Sequence, residues 1–200
     1  SVVALGAFVG GFVAVILVYR LATSATGTSV ATMLLAGIAI SALAGALNSL
    51  LSFVADDEML RRISLWQMGS LDAANWPRVW IAAAAVALVM TVLPRQGPAL
   101  NAFLLGESEA RHLGIAVDAV KRRLILMTAI AIGVSVAVAG IIAFIGLIVP
   151  HTMRLLIGPD HRYLIPASAM AGAILLIVAD AVARVVIAPA ELPAGILTAL

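Results

Sequence analysis

Apolar residues in this chain gather in long blocks separated by short polar stretches. Six blocks read as membrane helices or parts of them: residues 2–19, 29–54, 79–93, 124–142, 143–157 and 163–183. A seventh begins near Leu192 and is still apolar at Leu200. A helix rises ~1.5 Å per residue and a bilayer core is ~30 Å thick, so a span needs about 20 residues. Blocks 79–93 and 143–157 are short by that measure. Ser1 enters directly into an apolar run, and both ends read as those of a fragment of a larger protein.

The stretch between Arg123 and Arg154 holds no Lys, Arg, Asp or Glu. Roughly 30 residues of helix would reach ~45 Å, too long for one crossing, so the chain must turn in or at the edge of the membrane. Irregular backbone at that depth needs protein or water to satisfy it. The expected path is one full span, a turn near Gly140–Gly146, and a short helix broken at Pro150. Proline removes an N–H and frees the carbonyl near Gly146, and His151 and Arg154 follow within one turn.

Composition settles the class: 64% of residues are hydrophobic and 11% charged, where soluble domains are about half apolar and a quarter charged. The expected fold is an all-α, polytopic transmembrane helical bundle, a single domain over residues 1–200. Cysteine is absent, which excludes disulfides and thiolate sites. The net charge of +2 is spread over loops rather than gathered in a stripe, so it reports topology and not nucleic acid.

Loops alternate in charge. One set carries Arg20, Arg95, Arg111, Lys121, Arg122, Arg123, Arg154 and Arg162; the other carries Arg61, Arg62, Arg78 and Arg184 beside Asp56, Asp57, Glu58 and Asp72. The positive-inside bias puts the first set in the cytoplasm. Small residues recur every fourth position at Gly37, Ser41, Gly45 and Ser49, and again at Ala129, Gly133 and Ala137, a spacing that lets helices approach closely.

Catalytic chemistry is hard to assemble. The only lysine, Lys121, follows Val120, so there is no phosphate-binding loop. His112, His151 and His161 lack a ligand spacing, and no nucleophile–base set is present. No enzyme activity, metal or cofactor is therefore expected on this chain.

The polar stretch Gly106-Glu107-Ser108-Glu109-Ala110-Arg111-His112-Leu113-Gly114 reads as short helix, turn, short helix. With Asp118 and the Lys121–Arg123 cluster it forms a loop, 104–123, long enough to dock another protein. Asp180 and Arg184, four apart at the end of a span, suit an ion pair. The alternative leaves Arg184 partly free for an acidic partner. Pro189-Ala190-Glu191-Leu192-Pro193 predicts a stiff corner.

Read in order, several motifs resemble the permease family of bacterial type II ABC importers for iron-siderophores, heme and cobalamin. They are Gly140-x-x-x-Phe144-Ile145-Gly146-Leu147-Ile148-Val149-Pro150-His151-x-x-Arg154, then Gly158-x-Asp160-His161-Arg162, and Ala179-Asp180-x-x-Ala183-Arg184. Glu191-Leu192-Pro193-x-Gly195-x-x-Thr198-Ala199 continues the match. Upstream, Leu34-Leu35-Ala36-Gly37, Met68-Gly69-Ser70 and Gly106-Glu107 with Ala110-Arg111-x-Leu113-Gly114 extend it. The family's N-terminal half and its closing Gly-x-Pro-Phe motif are missing, and Ala194 replaces the usual valine or isoleucine.

The resemblance implies a dimer of ten-span permeases in the bacterial inner membrane, with two cytoplasmic ATPase subunits that hold ATP-Mg and a periplasmic binding protein. On that pattern Gly106–Gly114 couples to the ATPase, Arg184 meets the binding protein, and Ser29, Val30, Ala31 and Thr32 form the cytoplasmic gate. Leu65-Trp66-Gln67-Met68-Gly69-Ser70 is somewhat more similar to the heme permeases, so heme is the expected cargo, with ferric siderophore or cobalamin as alternatives. An ion-driven secondary transporter would need a carboxylate near the midplane. Here the acids sit in loops or at span ends.

Overall fold

The computed structural model describes residues 2–24, 27–72, 74–186 and 195. The expected proline corner, and the seventh apolar block apart from Gly195, lie outside them. The described chain is all-α: α1 (Val2–Ala22), α2 (Val30–Val54), α3 (Asp57–Met68), α4 (Trp76–Val92), α5 (Gly97–Phe103), α6 (Glu107–His112), α7 (Val117–Ala139), α8 (Ile145–Ile157) and α9 (His161–Val186). Between α1 and α2 a small antiparallel ladder pairs Thr23 with Thr28 and Ser24 with Gly27.

Among the described residues five helical segments are long and apolar enough to cross a membrane, and α8 is a shorter apolar helix. The short block 79–93 turns out to be part of a longer crossing. α4 starts at Trp76, capped by Asn75 and opened by Pro77, and continues through a 3₁₀ turn at Pro94–Gln96 into α5. α7 starts at Val117, seven residues before its apolar block. The Lys121–Arg123 cluster is therefore helical and not loop, with Lys121 paired to Glu107 of the preceding short helix.

α3 was not anticipated in the 56–78 loop. Asp56 accepts from Met59 N–H at 2.8 Å as its N-cap, Asp57 and Glu58 favour its positive end, and Glu58 pairs with Arg62 one turn on. It ends at Gly69 with φ 65°.

The turn after α7 lies where the uncharged run required it, but the break is upstream of Pro150. α7 stops at Gly140 (φ 75°), the chain is non-helical to Phe144, and α8 then passes through Pro150 without ending. Pro150 falls early in α8, so its ring displaces only the bond to the Gly146 carbonyl, and the helix begins beneath it. Phe144, which caps α8, has φ 66°, a left-handed conformation that costs about 1–2 kcal/mol for a residue with a Cβ. Here α3 holds the non-helical stretch. Ile141 N–H donates to the Trp66 carbonyl at 3.4 Å and Ser70 N–H to the Ala139 carbonyl at 2.9 Å. Glycine is required at this joint, since a Cβ on Gly140 would lie 2.5 Å from the Trp66 oxygen and one on Gly69 2.5 Å from the Ile141 oxygen.

α1 packs along α7, α4 also lies on α7, and α8 packs on α9. Gly133 admits the ring of Phe8, and Ala129 is buried beside it, so the second small-residue stripe does bring helices together. The first stripe has no such neighbour among the described residues: nothing lies within 4 Å of a Cβ built on Gly37 or Gly45. Large apolar side chains face outward, with Leu155 74% and Val185 76% exposed, the inverse of a water-soluble core.

Candidate functional site

Contacts sort the loops into the two groups that their charge suggested. At the basic end, Arg123 donates to Gln96, Asn101 meets Asp160, and Arg20 and Arg122 line one crevice. At the opposite end, α3 is bonded to the 140–144 stretch and Arg184 reaches Asp72.

At the basic end α6 is a single exposed helix set between Gly106 and Gly114. Its anchor is Ala110, fully buried against Ala102 and Val117, with Phe103 and Ile115 packed around them. Glu107 pairs with Lys121 at 2.5 Å and Arg111 with Asp118 at 3.5 Å. Two of the charges expected to dock a partner therefore seat α6 on α7. Leu104, Leu105, Ser108, Glu109, His112 and Leu113 remain on the exposed surface. Sequence spacing missed this split because the pairs join separate helices.

A second cluster ties this region to α9. Asn101 on α5 donates to Asp160 Oδ1 at 2.6 Å, and its own oxygen receives the His161 backbone N–H at 2.9 Å. Asp160 also accepts from Arg162 N–H at 2.9 Å, and its carbonyl receives the N–H of Leu164, so it opens α9. The Asn101 amide, and after it the Arg162 N–H, hold its carboxyl below the usual carboxylate range.

The segment expected to gate the path sits where the ladder meets α2. Ser29 N–H donates to the Ala22 carbonyl at 3.0 Å, and Ser29 Oγ caps α2 by accepting from Thr32 N–H at 3.3 Å. Ser29, Val30, Ala31 and Thr32 are all exposed. On α8, Pro150, His151 and Arg154 line one shallow hollow.

Arg184 is not the partly free cation considered from sequence. Its Nε donates to Asp180 Oδ2 at 2.8 Å and its Nη2 lies 3.0 Å from Asp72 Oδ1. The i,i+4 pair was legible; Asp72, reached across the α3–α4 loop, was not. Near this end an apolar cleft of about 720 Å3 opens between α2 and α3. Trp66, Arg62 and Ile141 line it, and Gln67 donates to Asn48 at 3.1 Å on its wall. Among the described residues no cluster of His, Asp and Glu is placed to hold a metal ion.

The profile of the FecCD transport family matches residues 1–200. The hemin transport system permease protein HmuU of Yersinia pestis is 46% identical over 195 residues, covering 98% of this chain and 58% of that protein. The cobalamin import system permease protein BtuC of Halobacterium salinarum is 41% identical over 204 residues, covering all of this chain and 54% of that protein. The chain thus spans little more than half the length of these relatives. A solved metal-chelate type ABC transporter in an inward-facing conformation superimposes with a TM-score of 0.86 at 30% identity, over 98% of this chain and 68% of that one.

Proposed function

Because the chain belongs to the FecCD transport family, a family of multi-pass inner-membrane permeases, we propose that it forms part of a permease subunit of an ABC importer for heme. The observation that carries the family-level reading is the combined match in sequence and fold over nearly the whole chain. Heme as cargo is supported by the 46% identity to the hemin permease. The 41% identity to a cobalamin permease keeps a corrinoid as the second reading.

In this reading the subunit pairs with a second copy, two ATPase subunits dock at the basic end, and a periplasmic binding protein delivers cargo at the other. ATP-Mg is bound and hydrolysed by the ATPase. The exposed face of α6, with Ser108, Glu109 and His112 and with Leu113 at its C-cap, enters the ATPase; Glu107, Arg111 and Ala110 keep that face in place. Movement passes to α9 through Asn101 and Asp160, and α8 tilts about the 140–144 break while Ser29–Thr32 opens the inner gate. Arg184 meets the binding protein by exchanging Asp72 for a partner carboxylate.

The test is ATP-dependent uptake by the reconstituted complex, offered heme, cobalamin and a ferric siderophore in turn. Heme uptake at least about tenfold above the others is expected. Uptake that collapses with an uncoupler at constant ATP would replace this reading with an ion-driven one. Leu113→Glu should uncouple ATP hydrolysis from uptake, and an unchanged coupling ratio would remove α6 from the docking role.

A further inference from the structure

One feature of the basic end plays no part in transport as proposed above. α1 and α7 run antiparallel, meeting at Phe8 and Gly133, and toward the basic end a crevice of about 230 Å3 opens between them. Its apolar wall includes Phe12, Ile16, Leu126 and Ala129. Tyr19, Arg20 and Arg122 line the same crevice, and both arginines are exposed.

The two guanidiniums stand apart from the Arg and Lys side chains of α6 and α7 beside them. Arg111 has Asp118, Lys121 has Glu107 and Arg123 has Gln96. Among the described residues, Arg20 and Arg122 have no hydrogen-bond or ion-pair partner, and no carboxylate lines the crevice. Arg20 lies two residues from the end of α1 and Arg122 five residues from the start of α7, both near the polar end of a membrane-length helix where lipid phosphates lie. Two paired guanidiniums match a phosphodiester by forked hydrogen bonds, and an apolar slot just below them suits the chain attached to it. Basic recesses between spans on the cytoplasmic side bind anionic headgroups for this reason.

We propose that the α1–α7 crevice holds an anionic phospholipid, its phosphate on Arg20 and Arg122 and one acyl chain against Phe12 and Leu126. A soluble phosphate would satisfy the charges and leave the apolar slot empty, whereas a lipid fills both. The site is independent of which cargo the permease carries.

The test uses delipidated protein titrated with phosphatidylglycerol or phosphatidylcholine and read by native mass spectrometry. Each guanidinium contributes about fivefold, so phosphatidylglycerol should be retained about twenty-fivefold more strongly. Arg20→Gln and Arg122→Gln each cut that preference about fivefold, and the double variant brings the two lipids near parity. Arg123→Gln removes a neighbouring charge outside the crevice and keeps the preference. Leu126→Trp fills the slot, leaves the charges in place and lowers phosphatidylglycerol retention. Equal retention of the two lipids overturns the proposal, as does a preference untouched by both single arginine variants. Equal loss in Arg123→Gln, or displacement of the lipid by millimolar inorganic phosphate, also overturns it, the last by reducing the site to an anion contact.

Discussion

Glu107 of α6 and Lys121 of α7 stand 2.5 Å apart, and the lysine side chain is 10% exposed. The chain's only lysine is thus spent on fixing a six-residue helix that is too short to be stable alone. Removing one partner of such a pair leaves the other charge uncompensated, at about 3–5 kcal/mol when both are buried. Glu107 is 44% exposed, so Lys121→Ala should cost less, about 1–2 kcal/mol, with a smaller loss for Glu107→Gln. A thermal midpoint in detergent unchanged by Lys121→Ala would show that Ala110 alone seats the helix.

Gly140 and Gly158 both have positive φ, but only Gly140 is also crowded. Alanine at Gly158 meets open space and should cost only backbone strain, about 1–2 kcal/mol. Alanine at Gly140 adds a collision with the Trp66 carbonyl and should lower the thermal midpoint distinctly further. Equal losses would mean that α3 is not held against the 140–144 stretch.

Asp160 is held below its ordinary value of about 3.8, so its bonds stabilise the fold above that pH and are lost as pH falls through the lowered value. Asn101→Ala removes the largest cause, so the variant should be less stable at neutral pH and lose less of its stability on acidification than the parent protein. Asp160→Asn should flatten the same part of the curve. Thermal midpoints measured across the acid range check both, and three superimposable profiles would refute the assignment.

Asp72 competes for Arg184 with any incoming carboxylate. If Arg184 docks the binding protein, Asp72→Asn should tighten that complex about threefold, the scale of an exposed ion pair, while Arg184→Gln weakens it. Surface plasmon resonance with immobilised permease measures both. An affinity insensitive to Asp72→Asn and Arg184→Gln alike would place docking elsewhere.

Much of the architecture was legible because a membrane span is a local property. The length of each apolar block, the excess of uncharged residues before Arg154 and the sorting of basic loops need no tertiary information. α3 also left a local signal, Asp56-Asp57-Glu58 before an amphipathic stretch with Arg62 one turn on, but it is about half the length of a span and lay hidden in a polar loop. What could not be read were partners from distant segments. Asn101 and Asp160 are 59 residues apart, and Arg184 and Asp72 farther still; spacing along a chain says nothing of the register between helices. Pro150 misled for a related reason. Proline breaks a helix interior, but its effect depends on where the helix begins, and the α8 start at Ile145 was set by the non-helical joint before it.

The bonds from Ser70 to Ala139 and from Ile141 to Trp66 are between backbone groups alone. Side-chain replacement at those four positions leaves the donors and acceptors where they are, unless the newcomer is proline. This joint is therefore nearly invisible to alanine scanning and tolerant of drift, and its vulnerability is concentrated in two glycines. A lineage can remodel the lining of the neighbouring cleft, Trp66 and Ile141 included, and so change its shape, without losing the joint on which the cleft is mounted.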